Sequence, residues 1–554
     1  MVSPRQRFSL ILLFTLLIFM LLPSTFAKAS IVNPKQVYSY QQMERDIKTL
    51  ADTYPGLIEY HIIGESEFGR PIYAVSLGNG LSTSYINSSN HAREWITTNL
   101  TMYMIDQYAK AYSERRSIGG YDVRSLLDKH QMWFVPMINP DGVMLQQQGL
   151  PSVPSGEHAS VVFMNNNSFN FKRWKANGKG IDLNRQFNAN WANLANSPGK
   201  PSFANYKGKA PHSAKEVKAV LELTEKIKPE MAVSYHSSGQ ILFWNFHQQG
   251  AQLTRDRAHA RAIGQMTGYS LMGRPSSTGG GGYTDWFIQE YKKPAFTPEL
   301  GTFVGATNVP LSQFDRIWNQ NRLVGLYIAR ESHKMFESRL LNTYAPVSIE
   351  INGERIPQAG GSFSVHGRTV VPLRSIFEKL GAQVKWDAAN REVVIASAGT
   401  NVRLPVHRPY AYVNDEKTAL DVPALLVDNR TYVPVRFIVE ALGAQVEWVA
   451  SERTVKITYV PETVQVQAMV VEESQPIEQE NEPARQPINE IVVENRVEKE
   501  GSFSNQGEPF DVEEEKSLDA SLEIDIVEEN DSPSDHLETD SEGKAFEENH
   551  AEIE

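Results

Sequence analysis

A histidine and a glutamate stand three residues apart in Ser89-Asn90-His91-Ala92-Arg93-Glu94-Trp95. Imidazole nitrogen and carboxylate oxygen both bind zinc, and a catalytic zinc takes three protein ligands while a fourth position stays open for water. His91 and Glu94 can supply two of the three. In a chain with 13 histidines and 66 acidic residues such a pair arises easily by chance, so it gains meaning only with further partners. His236, after the short apolar run Met231-Ala232-Val233-Ser234-Tyr235, is the candidate third ligand. Glu299 closes another strand-like stretch, and Asp182 stands two residues before Asn184-Arg185.

The elements around these residues follow from hydrophobic spacing. Met43, Ile47, Leu50 and Ala51 predict a helix over 38–54, ended by Pro55-Gly56. Residues 57–63 and 71–77 read as strands joined by a turn over 64–70, and a further strand leads into His91. Ile96, Leu100, Tyr103 and Met104 predict an amphipathic helix after it. An apolar run over 131–138 is closed by Asn139-Pro140-Asp141-Gly142. Residues 213–228 predict a helix with a Ser213/Glu216 capping box and a buried stripe of Val217, Val220, Leu221, Thr224 and Ile227. Strands alternating with helices make an α/β domain, and such sheets place their sites at strand ends.

Taken together, the pieces resemble the zinc carboxypeptidase A-like family from about Tyr38 to Lys334. The matching segments are His91-Ala92-Arg93-Glu94, Asn139-Pro140-Asp141-Gly142, Gly180-Ile181-Asp182-Leu183-Asn184-Arg185, the surroundings of His236, Asp285-Trp286 and Glu299, in the family's order. The resemblance implies a mixed central sheet flanked by helices and one Zn²⁺ per chain, held by His91, Glu94 and His236. It implies Glu299 as general base, Asp182 as the partner that orients His91, and Asn184 and Arg185 as the grip on a substrate carboxylate. Arg93 would assist substrate binding. Where the family usually carries an oxyanion-stabilising arginine, the pattern around Trp174 places Lys175, with Arg173 nearby. Ser277 occupies the place of the family's mobile tyrosine, and Tyr283 falls six residues too late to replace it. Thr284 stands at the position that helps set the side-chain pocket, which favours neither basic nor bulky aromatic ends.

The details Asp182-Leu183-Asn184-Arg185-Gln186-Phe187, His236-Ser237-Ser238-Gly239 and Phe296-Thr297-Pro298-Glu299-Leu300-Gly301 look most like a bacterial subgroup. That subgroup cleaves γ-D-glutamyl-diamino acid bonds in cell-wall stem peptides. The alternatives are a general metallocarboxypeptidase acting on protein C-termini, and a wall-binding protein without activity.

Composition bounds the rest. Arg5 and Arg7, the apolar run over 8–22 and small residues around Ala27 and Ala29 read as a secretory signal over 1–29. With zero cysteines, disulfides, thiolate zinc sites and thiol nucleophiles are excluded, which suits bacterial export. The expectation is a secreted or wall-associated protein with a peptide substrate, contact with peptidoglycan or an anionic wall polymer, no nucleic-acid partner and no stable membrane anchor. A catalytic domain is expected over 30–343.

Residues 344–460 carry a repeat at an offset of 62: Arg368-Thr369-Val370-Val371-Pro372 recurs as Arg430-Thr431-Tyr432-Val433-Pro434, and Leu380-Gly381-Ala382-Gln383-Val384-Lys385-Trp386 as Leu442-Gly443-Ala444-Gln445-Val446-Glu447-Trp448. This is similar to the copper amine oxidase N-terminal domain, and predicts a small α+β unit with a binding or spacer role. Its histidines, His366 and His407, make no copper site. Residues 461–554 hold 29 acidic and 5 basic side chains, which leaves a net +12 on the first 460. This tail reads as disordered.

Overall fold

The computed structural model describes residues 30–459 except 343–346, 358–360, 366–367, 388–389, 398 and 428–429. The proposed signal, the proposed boundary at 343/344 and the acidic tail lie outside the described residues.

The first part is built on a mixed sheet. Its strands are β1 (Ile58–Glu65), β2 (Pro71–Gly78), β3 (Ser82–Asn87), β6 (His130–Val135), β7 (Met231–Ser234), β8 (His236–Ser237), β9 (Ile241–Phe243), β10 (Ser270–Leu271) and β11 (Ala295–Leu300); β4 (Ser117–Ile118) and β5 (Tyr121–Asp122) form a separate hairpin. The order is β1-β2-β6-β3-β7-β11-β9-β10, with β8 beside β11. The four central strands β6, β3, β7 and β11 run parallel, and antiparallel strands flank them.

Side chains alternate across the central strands, so both faces need cover. Phe134, Ile86 and Val233 enter one core with the helices Tyr40–Thr53, Ile96–Ser113 and Val324–Asn342. Trp133, Val135, Tyr85 and Ala232 enter the other, with the helices Lys215–Ile227 and Tyr283–Tyr291. This is the expected fold class, a mixed sheet between helical layers.

The helix at 215 corrects one expectation. It starts at Lys215 with Ala214 as its cap and no side-chain cap hydrogen bond. Ser213 is instead held by Gln186, whose Oε1 accepts from the Ser213 and Ala214 backbone N–H groups at 2.8 and 2.9 Å. Glu216 is buried and accepts from Asn177 Nδ2 at 3.1 Å, serving a loop instead of its own helix end. A tertiary partner outcompetes the local cap for both side chains.

The repeats interlock. Their strands are β12 (Ser348–Ile351), β13 (Glu354–Arg355), β14 (Phe363–Val365), β15 (Arg368–Pro372), β16 (Gln383–Asp387), β17 (Glu392–Ser397), β18 (Thr400–Pro405), β19 (Tyr410–Val413), β20 (Glu416–Ala419), β21 (Leu425–Val427), β22 (Arg430–Pro434), β23 (Gln445–Val449) and β24 (Thr454–Thr458). β15 and β22 pair antiparallel with Val371 opposite Val433, which are equivalent positions of the two copies, so a pseudo-two-fold axis passes between them. Each copy lends its opening strands to the other's hairpin: β12 joins β24, while β19 joins β17 through the extra strand β18. The helix Val324–Asn342 ends in this part, where Phe336 and Leu340 pack with Phe363, Val370 and Tyr432.

Candidate active site

Three neighbouring parallel strands deliver the chemistry at their C-terminal ends. β3 leads to His91, β7 to His236 and β11 to Glu299. After β3 the chain turns at Ser89, whose φ of 51° lies in the left-handed region. Ser89 is pinned there by Thr97 Oγ1, which accepts its N–H at 2.9 Å, and by Thr98 Oγ1 at 2.7 Å from its hydroxyl. A single helical turn, Ala92–Glu94, then brings Glu94 back beside His91.

The imidazoles and the carboxylate converge. His91 Nδ1 lies 2.8 Å from Glu94 Oε1, His236 Nδ1 lies 3.0 Å from Glu94 Oε2, and the two Nδ1 atoms are 3.1 Å apart. Among the described residues this is the one such group of potential ligands, and all three are buried. His91 Nε2 is 3.1 Å from Asp182 Oδ1. That contact holds the imidazole proton on Nε2, so Nδ1 presents a lone pair to a carboxylate and to a second imidazole. Such an arrangement is repulsive unless a cation sits among the donors. Two nitrogens and a carboxylate are the donor set zinc takes in catalytic sites, so the residues fit the ion.

Electrostatics agree with this reading. Burial alone would push the Glu94 carboxyl up, but positive charge at the His91/His236 pair, the charge a bound cation would supply, outweighs it and holds the group well below the carboxylate range. At Asp182, burial is likewise overcome by Lys175 and His91. Glu299 goes the other way: burial, then the Glu94 charge, raise it to about 8 against the pull of His236, Lys175 and Arg93. A carboxyl raised toward neutrality is suited to moving protons.

A cavity of about 310 Å³ opens beside His91, lined by Lys175, Asp182, Asn184, Arg185 and the loop over 276–280. Lys175 Nζ is 3.0 Å from Asp182 Oδ2 and 3.2 Å from Asn205 Oδ1. Arg173 faces elsewhere: it donates to Asn165 and stacks over Phe203 at 4.0 Å. Arg185 donates to the Ala195 carbonyl at 2.7 Å, and Arg93 to the Arg173 carbonyl at 3.3 Å. Thr284 is buried with its hydroxyl 2.8 Å from that of Thr297. Tyr283 is a core residue, its hydroxyl 3.1 Å from Thr224, and Ser277 is exposed on the loop.

Residues 43–324 match the family model described as zinc carboxypeptidase, and residues 350–457 that of the copper amine oxidase N-terminal domain. The chain belongs to the zinc carboxypeptidase family. It is therefore a metallopeptidase of a zinc-dependent family. Among its relatives, gamma-D-glutamyl-L-diamino acid endopeptidase 1 of Lysinibacillus sphaericus is 34% identical over 302 residues, covering 54% of this chain and 74% of that one. The uncharacterized protein YqgT of Bacillus subtilis (strain 168) is 29% identical over 52% of this chain and 76% of that one. The crystal structure of thrombin activatable fibrinolysis inhibitor aligns with a TM-score of 0.46 and 19% identity, over 56% of this chain and 79% of that one.

In this zinc carboxypeptidase, two supporting residues had no reading of their own from spacing. Asn139 Nδ2 donates to the carbonyls of Asn90 and Ala176 at 3.1 and 3.0 Å, tying the His91 turn to the Lys175 segment. Asn205 contacts Lys175 through its side chain and Asp182 through its N–H. The Asn-Pro-Asp-Gly motif signalled the first; nothing local signals the second.

Proposed function

We propose that this chain is an exported zinc peptidase that cleaves the bond between γ-D-glutamate and a diamino acid in cell-wall stem peptides. The observation that carries the reading is the cavity beside His91. Its walls are polar, with Arg185, Lys175, Asn184, Ser276 and Thr278 around it, and its one carboxylate, Asp182, is engaged by His91 and Lys175. A diamino acid brings a carboxylate and a polar far end, both of which suit such walls. The likeness to a relative named for this bond supports the same substrate. The basic and apolar N-terminal sequence supports export.

His91, Glu94 and His236 would hold the zinc, which supplies a Lewis acid and lowers the pKa of water. Glu299 takes the proton of the attacking water and returns it to the leaving amine. Arg185, with Asn184 beside it, binds the carboxylate of the departing residue; a guanidinium fork matches that group. Lys175 faces the cavity with a fixed ammonium, where it offsets negative charge developing on the carbonyl oxygen. Asp182 orients His91 and Lys175 together. Arg93 adds positive charge near Glu299.

The test is one incubation containing L-Ala-γ-D-Glu-diaminopimelate and a blocked peptide with an apolar C-terminal residue, with and without chelator, read by mass spectrometry. Chelator-sensitive release of diaminopimelate alone is expected. Release from the ordinary peptide alone would make the chain a general carboxypeptidase, and release from neither would leave wall binding as its role.

A further inference from the structure

The repeat region contains a cavity of about 760 Å³ far in sequence from the catalytic residues. It lies between one copy's helix and hairpin, which bring Arg374, Lys385, Trp386 and the one carboxylate of the lining, Glu378, and the other copy's strands β21 and β22, which bring Leu426 and Arg430. Trp386 stands on β16, the edge strand of its sheet, and is 47% exposed. A large aromatic left in water at the rim of an apolar groove marks a contact surface.

The pseudo-two-fold supplies an internal comparison. At the equivalent positions of the other half stand Arg436, Glu447, Trp448 and Arg368. Trp448 is also exposed, at 43%. The charges differ: Glu447 replaces Lys385, and Arg368 is paired with Asp421 at 2.7 Å. In the first half Arg374 pairs with Glu378 at 3.5 Å, and no ion pair is formed by Lys385 or Arg430 among the described residues. Lys385 and Arg430 therefore place cations without ion-pair partners among the described residues beside the Trp386 indole, where the other half has Glu447 and a paired Arg368.

We propose that the groove over Trp386 binds a carboxylate-bearing glycan, with a pyranose ring laid on the indole and its carboxylates facing Lys385 and Arg430. The apolar face of a sugar ring covers an exposed indole, and the cations at the rim select an anionic polymer over a neutral one. A polyol phosphate offers charge but no ring. The binding is separate from the peptidase's choice of substrate.

The experiment is calorimetric titration of the full chain with soluble glycan strands of alternating N-acetylglucosamine and N-acetylmuramic acid, freed of peptide. The expected result is binding that weakens with salt, falls at least tenfold in Trp386→Ala and in Lys385→Glu/Arg430→Glu, and changes less than twofold in Trp448→Ala. Each variant should keep wild-type peptidase activity and the wild-type circular dichroism and thermal melt, which shows that the repeat region still folds. The proposal is overturned by absent binding, by equal losses at Trp386 and Trp448, or by losses in the charge variant alone. Equally tight binding of poly-glutamate, lost in the same variants, would overturn it in favour of an acidic peptide.

Discussion

The two described parts of this chain use their strands differently. In the peptidase, parallel strands β3, β7 and β11 end in polar, largely buried groups: His91 with Glu94, His236 and Glu299. In the repeat region the core is largely aliphatic, and charges such as Arg374, Lys385 and Glu447 face water. Burying a charge without a partner is expensive. The peptidase therefore spends further residues, Asp182, Lys175 and Asn205, on satisfying its site, whereas the buried charged or imidazole side chains among the described residues of the repeat region are Glu392, paired with Arg403, and His407. Concentrated buried polarity marks chemistry, and solvated charge around an exposed aromatic marks contact.

Breaking the peptidase side of this contrast should have the largest effect. His236→Ala removes one of three ligands, so zinc measured by atomic absorption and peptide hydrolysis should both fall to background. Asp182→Asn keeps the shape but weakens the hold on His91 and Lys175; a loss of about 10–100-fold in zinc affinity or activity is expected. A retained wild-type affinity and rate would separate Asp182 from the site. Gly142→Ala tests the support beneath it, because a Cβ there would lie 2.4 Å from the Ala176 carbonyl oxygen. Denaturant unfolding should show a loss of about 1–3 kcal/mol, with reduced kcat as the Lys175 segment shifts.

The repeat side carries a smaller, pH-dependent effect. His407 is buried, and burial, then the charges of His333, Lys129, Arg391 and Arg408, push its pKa well below the ordinary histidine value. The unfolded chain binds a proton there below pH about 6.5, and the folded chain does not, so stability is lost as pH falls below that value. His407→Asn, which also suits the φ of 63° at this position, should remove about 1 kcal/mol of the stability lost between pH 6.5 and 5.5. Unchanged pH dependence in thermal melts would show that the group is not buried neutral.

The same contrast explains what was legible in the sequence. The repeats could be read because similarity at a fixed offset is local information, and each copy's strand, helix and hairpin appear where the pattern puts them. Their interlocking could not, since which copy's hairpin receives β12 or β19 is decided by tertiary pairing. In the peptidase, the helical and strand spacings gave the sheet and its layers. The ligands and the base were legible only as a set: His91, Glu94, His236 and Glu299 each have ordinary explanations alone, and the family's order joined them. The Ser213/Glu216 capping box failed because Gln186 and Asn177, distant in sequence, bind those residues first. Asn205 stayed hidden for a related reason, as an asparagine in a loop says nothing about which buried pair it will meet.

In the proposed function, Glu299 moves the proton while His91, Glu94 and His236 hold the ion. It is tested most directly by measuring zinc content and hydrolysis of L-Ala-γ-D-Glu-diaminopimelate in Glu299→Gln beside the wild type. One zinc per chain is expected in both proteins, with a rate about 10²–10⁴-fold lower in the variant. A variant that keeps its zinc and its wild-type rate would contradict it.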